Sequence, residues 1–167
     1  MTNHHIFEVS NGWIALAGRE GVLTRSTLPQ KTRDAAFALI EAGLDAGSIE
    51  NHNNFDEVSS RLTRYFEGIK TDFSDIAIDL GKPGQFIMAV QNVARKIPYG
   101  TLVTYGELAR MAGRAKAARA AGTAMAKNPV PVIVPCHRVV AAGGAIGGFG
   151  PGLEWKRTLL RLEGVDI

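Results

Sequence analysis

The sequence predicts an α+β fold: a small antiparallel sheet with helices, followed by a mostly helical half that contains a helix-turn-helix. Three observations carry this. Short apolar runs at residues 6–10, 13–17 and 22–27 are separated by Asn11-Gly12 and by Arg19-Glu20-Gly21, which is turn chemistry. Beyond residue 85 apolar residues recur mainly at helical spacing. The charge also changes sign: residues 1–84 carry eight Lys/Arg against twelve Asp/Glu, a net of −4, and residues 85–167 carry eleven against four, a net of +7. The expected division is an N-terminal α/β domain over 1–80 and a C-terminal helix-turn-helix domain over 81–167.

After the three strands, residues 32–42 carry a helical stripe of Ala35, Ala36, Leu39 and Ile40. Residues 55–66 carry another, through Val58, Leu62, Tyr65 and Phe66, stopped by Gly68. Residues 69–84 lack periodicity and read as a connector. A helix over 85–96 follows Pro83 and aligns Phe86, Ala89, Val90, Val93 and Ile97. Thr104-Tyr105-Gly106-Glu107 has the form of a capping box, so a helix starts at about Tyr105 and ends near Gly113. A second spans about 116–127 and stops before Asn128-Pro129. Two short helices across a glycine turn are the helix-turn-helix pattern, although any helical hairpin looks similar. The last helix covers about 154–162, with Trp155, Leu159 and Leu162 on one face.

Hydrophobic residues make up 46% and charged residues 21%, a globular composition. No run approaches the roughly 20 apolar residues of a membrane helix, and no basic-then-apolar leader opens the chain. The expected location is the cytoplasm, or the nucleus in a eukaryote. The single cysteine excludes an internal disulfide and a cysteine-based metal cluster. A basic half beside an acidic one suits a polyanionic partner, and also suits a merely soluble surface.

The chemistry gathers at Pro131-Val132-Ile133-Val134-Pro135-Cys136-His137-Arg138-Val139, an apolar, strand-like run ending at Cys-His-Arg. A lone thiol is ordinarily a small buried hydrophobe. Beside His137 and Arg138, Cys136 becomes a candidate nucleophile, because a thiol with a pKa near 8.5 needs a base or nearby positive charge at neutral pH. Glu163 and Glu107 are the carboxylates in this half that suit orienting the imidazole. In a strand, Cys136 and His137 would point to opposite faces, so their contact needs a bend or a bridging water. The second helix of the pair is nearly without bulk: Ala117, Ala118, Ala120, Ala121, Gly122, Ala124 and Ala126. Such a helix packs tightly inside a protein or lies in a DNA minor groove about 6 Å wide. Arg119 projects from its middle, into a salt bridge or toward such a partner.

These segments resemble the O6-alkylguanine-DNA alkyltransferase family. The resemblance rests on Asn128-Pro129-Val130-Pro131 ahead of Pro135-Cys136-His137-Arg138-Val139. Ile97-Pro98-Tyr99-Gly100, Thr104-Tyr105, Lys116–Ala120 and Leu162-Glu163-Gly164 match in order and spacing. It spans 97–164 and carries no motif over 1–80. It implies a single-use acceptor that moves an alkyl group irreversibly from O6-alkylguanine, and from O4-alkylthymine, in DNA to Cys136 without a cofactor. His137 would be the base through a water, Glu163 would orient the ring and Asn128 would hold the turn. Tyr105 would share a proton with the departing base. Arg119 would fill the stack vacated by a flipped nucleotide, with Thr104, Tyr105, Ala117, Ala118, Ala120 and Gly122 on the DNA side. The carbonyls of Cys136 and Val139 and the amide of Gly150 would read the guanine edge, with Phe149 stacking on it and Lys156 near the pocket. The partner would be double-stranded DNA bound through its minor groove by a monomer. No metal site and no membrane are implied.

The chain departs from many relatives at Phe149 and Gly150, where they carry Tyr and Ser. Four other readings compete. A helix-turn-helix regulator leaves Pro-Cys-His-Arg unexplained. A cysteine hydrolase usually brings its His from far along the chain. A lesion-sensing relative lacks the acceptor cysteine. The repair half of an adaptive-response regulator would carry a further metal-binding domain.

Overall fold

The computed structural model describes residues 1–167, and its first element is a hairpin. β1 (Asn3–Val9) and β2 (Gly12–Arg19) pair antiparallel, with Ile6 opposite Ala15. β2 passes to β3 (Val22–Ser26) through Glu20 and Gly21, both at positive φ, the two-residue turn whose twist matches the strands. Thr32 caps α1 (Arg33–Ala38) by accepting the Ala35 amide at 3.1 Å. The expected helix over 32–42 ends early. Its stripe continues through three-residue bonds, Leu39 N–H to the Ala36 carbonyl and Ile40 N–H to that of Phe37, into a 3-10 turn at Glu41–Gly43.

The sheet is mixed rather than purely antiparallel. A short β4 (Ile49–Glu50) joins β1 in parallel, giving the order β3-β2-β1-β4. The chain crosses over through α1 before reaching this edge, and a crossover is what parallel pairing requires. Two residues are too few to show an alternating pattern. Ile6, Ala15, Ala17, Ala36 and Ile40 form a core cluster, with Trp13, Phe37 and Leu44 packed on it. α2 (Asp56–Phe66) buries Val58, Leu62, Tyr65 and Phe66. In the connector, Phe73 and Ile76 are buried, and Leu23 bonds on either side of Ile78, a single bridge beside β3.

The chain divides into two compact units, Met1–Gly81 and Lys82–Ile167. The second contains α3 (Gln85–Ala94), β5 (Val103–Thr104), α4 (Tyr105–Met111), α5 (Ala118–Ala126), β6 (Val139–Val140) and α6 (Leu153–Leu162). β5 and β6 pair in parallel, a two-residue sheet with no sequence signal. The capping box forms: the Thr104 hydroxyl accepts from the Glu107 amide, and the Glu107 carboxylate from the Thr104 amide. α4 and α5 pack against each other across a turn at Gly113. α6 buries Lys156, Leu159 and Leu160, so its inner face is rotated from the expected Trp155-Leu159-Leu162 stripe. The buried lysine, read as polar, hid that face.

Candidate functional site

The segment before Cys136 is not a strand. Pro131, Pro135 and a left-handed Val132 (φ 73°) interrupt it, leaving one isolated bridge, Pro131 to Val134, and a 3-10 turn at Cys136–Arg138. A β-branched residue in that conformation costs about 1–3 kcal/mol and persists only where the surroundings impose it. Asn128 supplies much of the restraint. Its Oδ1 accepts the Val130 amide at 3.0 Å, and its Nδ2 donates to the Val134 carbonyl at 2.8 Å and to Cys136 Sγ at 3.1 Å. The turn thus ends with an amide N–H aimed at the sulfur.

Cys136 is only 7% exposed and His137 is fully buried. His137 Nε2 lies 2.6 Å from Glu163 Oε1. The same carboxylate accepts Arg138 Nε and Nη2, both at 2.9 Å, and the Gly100 amide at 2.9 Å. Arg138 Nη1 also donates to the Ile97 carbonyl at 2.6 Å. Burial by itself would raise Glu163, but hydrogen bonds from His137 and Arg138 outweigh it and hold the carboxyl well below the usual range. Burial pushes His137 below its ordinary value, against the pull of Glu163. With Glu163 ionised and the imidazole neutral, Nε2 carries the donated proton and Nδ1 the lone pair. Burial likewise pushes the Cys136 thiol up, against the Asn128 hydrogen bond and the nearby Lys156 charge. At rest the thiol and imidazole are both neutral. Arg138, read from sequence as positive potential for the thiol, is neutralised by Glu163. Glu107 is spent on the capping box and is exposed, so it drops out as the carboxylate that orients the ring.

A pocket of about 80 Å³ opens on Cys136, lined by Tyr105, Gly122, Asn128, Phe149 and Gly150 among others. The Tyr105 ring is gripped between two glycines. A Cβ at Gly147 would stand 3.0 Å from the ring, and one at Gly122 3.7 Å, so a side chain at Gly147 would displace the tyrosine. The Tyr105 hydroxyl donates to the Gly148 carbonyl at 3.2 Å. Lys156 is fully buried and donates to the Val139 carbonyl at 2.6 Å and to the same Gly148 carbonyl at 3.0 Å. Burial lowers its pKa to about 8. It therefore lies beneath the pocket, tying β6 to the glycine-rich loop that carries Phe149 and Gly150.

The remaining expected residues lie on α4 and α5. Arg119 and Ala120 are exposed, Ala117 and Ala118 half-buried, and Ala121 and Ala124 buried, so the bulk-poor helix packs inward on one face and is bare on the other. Gly122 faces the Tyr105 ring at the pocket wall. Val139 is fully buried, and its carbonyl accepts from Lys156. Two participants escaped the sequence reading: Tyr99, whose hydroxyl donates to the Leu162 carbonyl at 2.8 Å, and Gly100, whose amide reaches Glu163. Both belong to the Ile97–Gly100 match, which was the available signal.

The family description "6-O-methylguanine DNA methyltransferase, DNA binding domain" matches residues 85–165. A methylated-DNA–protein-cysteine methyltransferase of Mycolicibacterium paratuberculosis is 40% identical over 152 residues, which is 91% of this chain and 86% of that protein. The chain belongs to the methylated-DNA–protein-cysteine methyltransferase family. Its α+β fold is that of the family's solved members. The Mycobacterium tuberculosis O6-methylguanine methyltransferase superposes with a TM-score of 0.80 at 34% identity, covering 98% of this chain and 93% of that one. The Mycobacterium tuberculosis OGT in complex with DNA gives 0.79 at 34% identity, covering 96% and 92%. No helix is long and apolar enough to cross a membrane.

Proposed function

We propose that this methyltransferase repairs DNA by direct reversal, taking the alkyl group from O6-alkylguanine, and from O4-alkylthymine, onto Cys136. The observation that carries the reading is the Asn128–Cys136 bond beside the buried Glu163–His137 pair, opening on a pocket walled by Phe149 and Tyr105. Cys136 gives its proton to His137 Nδ1 through a water, and Glu163 stabilises the imidazolium that forms. The sulfur attacks the alkyl carbon, the S–C bond forms and the C–O6 bond breaks. The electron pair returns to the base, which leaves as guanine after taking up a proton, with the Tyr105 hydroxyl sharing a proton at its edge. A thioether is a poor leaving group, so each chain reacts once.

The O6 carbon is out of reach inside a duplex, so the nucleotide leaves the stack at a cost of a few kcal/mol. The exposed guanidinium of Arg119, on the bare face of α5, fills the gap, and that face with Thr104, Ala117, Ala118 and Ala120 enters the minor groove. The carbonyls of Cys136 and Val139 and the Gly150 amide read the guanine edge; a carbonyl has two lone pairs, so the Lys156 bond leaves Val139 one. The protein works as a monomer in the cytoplasm, or the nucleus of a eukaryote. Intact mass after incubation with an O6-methylguanine oligonucleotide tests this. One added methyl group on Cys136 and no turnover is the expected result; several product molecules per chain, or none, would overturn it.

A further inference from the structure

Behind the pocket, α3 carries a polar group that the reaction does not use. Gln91 is 1% exposed, and its Nε2 donates to the Ala124 carbonyl on α5 at 3.3 Å. Its Oε1 is buried with no hydrogen-bond partner. A buried acceptor without a donor is a standing cost, so the residue calls for an explanation in what its donor does.

The Ala124 carbonyl is where α5 stops being an α-helix. A continued helix would bond it to the Asn128 amide, four residues on. The Asn128 amide goes instead to the Met125 carbonyl at 3.2 Å, a tighter, three-residue turn. Ala124 is fully buried, so its carbonyl, orphaned at the helix end, needs another donor, and the Gln91 amide provides one. The tight turn delivers Asn128, whose side chain then spans the Val130 amide, the Val134 carbonyl and Cys136 Sγ. An added residue of regular helix would change the direction in which the Asn128 side chain leaves the backbone by about 100°.

We propose that Gln91 is a positioning residue for alkyl transfer: it holds the last turn of α5 in the tight form that aims Asn128 at the Cys136 sulfur. This rests on the reading of Cys136 as the acceptor. His137, Lys156 and Tyr105 also act on the sulfur, with Glu163 and Arg138 behind His137; Gln91 acts through α5 and Asn128.

Gln91→Met keeps the side chain's length and removes both amide atoms. The assay is the rate of transfer from free O6-benzylguanine to the full chain over a pH range of about 6 to 10, which spans ordinary thiol ionisation. With Asn128 no longer aimed, the sulfur loses a donor that favours its thiolate. The rise of rate with pH moves upward by about one unit, so that the rate near neutrality falls about tenfold. A profile that superimposes on the unaltered chain's, or that drops equally at every pH as general loosening would make it, overturns the proposal. An unaltered chain that transfers nothing overturns the functional reading instead, so the two failures are told apart. A second readout needs no substitution. In the unaltered chain the Gln91 side-chain amide protons are protected from exchange, and their signals move when Cys136 is alkylated. Amide protons that exchange freely, or signals indifferent to alkylation, overturn the proposal even if the variant does not fold.

Discussion

Replacing Glu163 by Gln tests whether the carboxylate is the hub of the site. Its side chain is fully buried and receives His137, two nitrogens of Arg138 and the Gly100 amide. Glutamine offers one oxygen in place of two and turns an NH₂ toward at least one of those donors. It also leaves the nearly buried Arg138 cation, whose side chain is 7% exposed, without a counter-charge. Breaking a buried ion pair from one side costs about 3–5 kcal/mol. At roughly 2–4 °C per kcal/mol for a chain of this size, the melting temperature falls by about 6–20 °C. Thermal unfolding of Glu163→Gln, of Arg138→Met and of the double variant measures this. Because the double variant removes the stranded charge as well, it loses less than the sum of the single losses by about 0.5–3 kcal/mol. A single-variant loss below about 1 kcal/mol, or strict additivity, would refute the reasoning. The pH dependence has a definite sign. Glu163 sits below its unfolded value, so its contribution is present above a pH of about 4.3 and is lost as pH falls further. His137, also depressed, adds a loss that begins as pH falls below about 6.5.

Four further outcomes follow from the geometry. Cys136→Ser retains DNA binding in a mobility-shift assay and gains no mass from an O6-methylguanine oligonucleotide. Arg119→Ala slows repair in duplex DNA by on the order of ten- to a hundredfold, the loss of a stacking group that offsets a few kcal/mol of base flipping, while the rate with free O6-benzylguanine is unchanged; equal losses on both substrates would remove the finger role. Protein alkylated at Cys136 melts several degrees lower than unreacted protein, because the added carbon must fit beside a sulfur that is only 7% exposed and lies 3.1 Å from Asn128 Nδ2, and overpacking of that kind costs about 1–3 kcal/mol; a midpoint that does not fall counts against this. Lys156→Met slows transfer by about tenfold, as loosening the Val139 and Gly148 carbonyls by about 1.4 kcal/mol would do, and abolishes any inflection near pH 8 in the rate profile.

The elements that could be read from the sequence are those whose signal is local. The hairpin turns, one at Ser10-Asn11 (a residue before the expected Asn11-Gly12) and one at Glu20-Gly21, the Thr104–Glu107 capping box and the α2 stripe depend on residues within a few positions of one another. Turn and capping hydrogen bonds span only that distance. The residue types of the site were legible for the same reason, since Pro-Cys-His-Arg and Asn-Pro are contiguous. The misreadings share a cause as well. Residues 131–139 look like a strand by composition, but prolines and the left-handed Val132 bend them into a turn, which Asn128 holds by hydrogen bonds to Val130, Val134 and Cys136 that no apolar pattern shows. The inner face of α6 was misplaced because a buried lysine counts as polar until its carbonyl partners are known.

The sequence by itself thus determined the α+β class, the candidate nucleophile and its neighbours in the chain, and the sign of charge on each half, because composition and near-neighbour chemistry set these. Residue chemistry left Glu163 and Glu107 open and only the resemblance pointed to Glu163 and to Lys156 near the pocket; tertiary structure made the Glu163–His137 and Lys156–Val139 pairings, and alone decided that Arg138 is consumed by Glu163 and that Gln91 closes the end of α5. Each of these is a contact between residues 17 to 33 positions apart. Such pairings are chosen by which buried donors and acceptors the packed core brings together, since an unpaired one is too costly to leave inside.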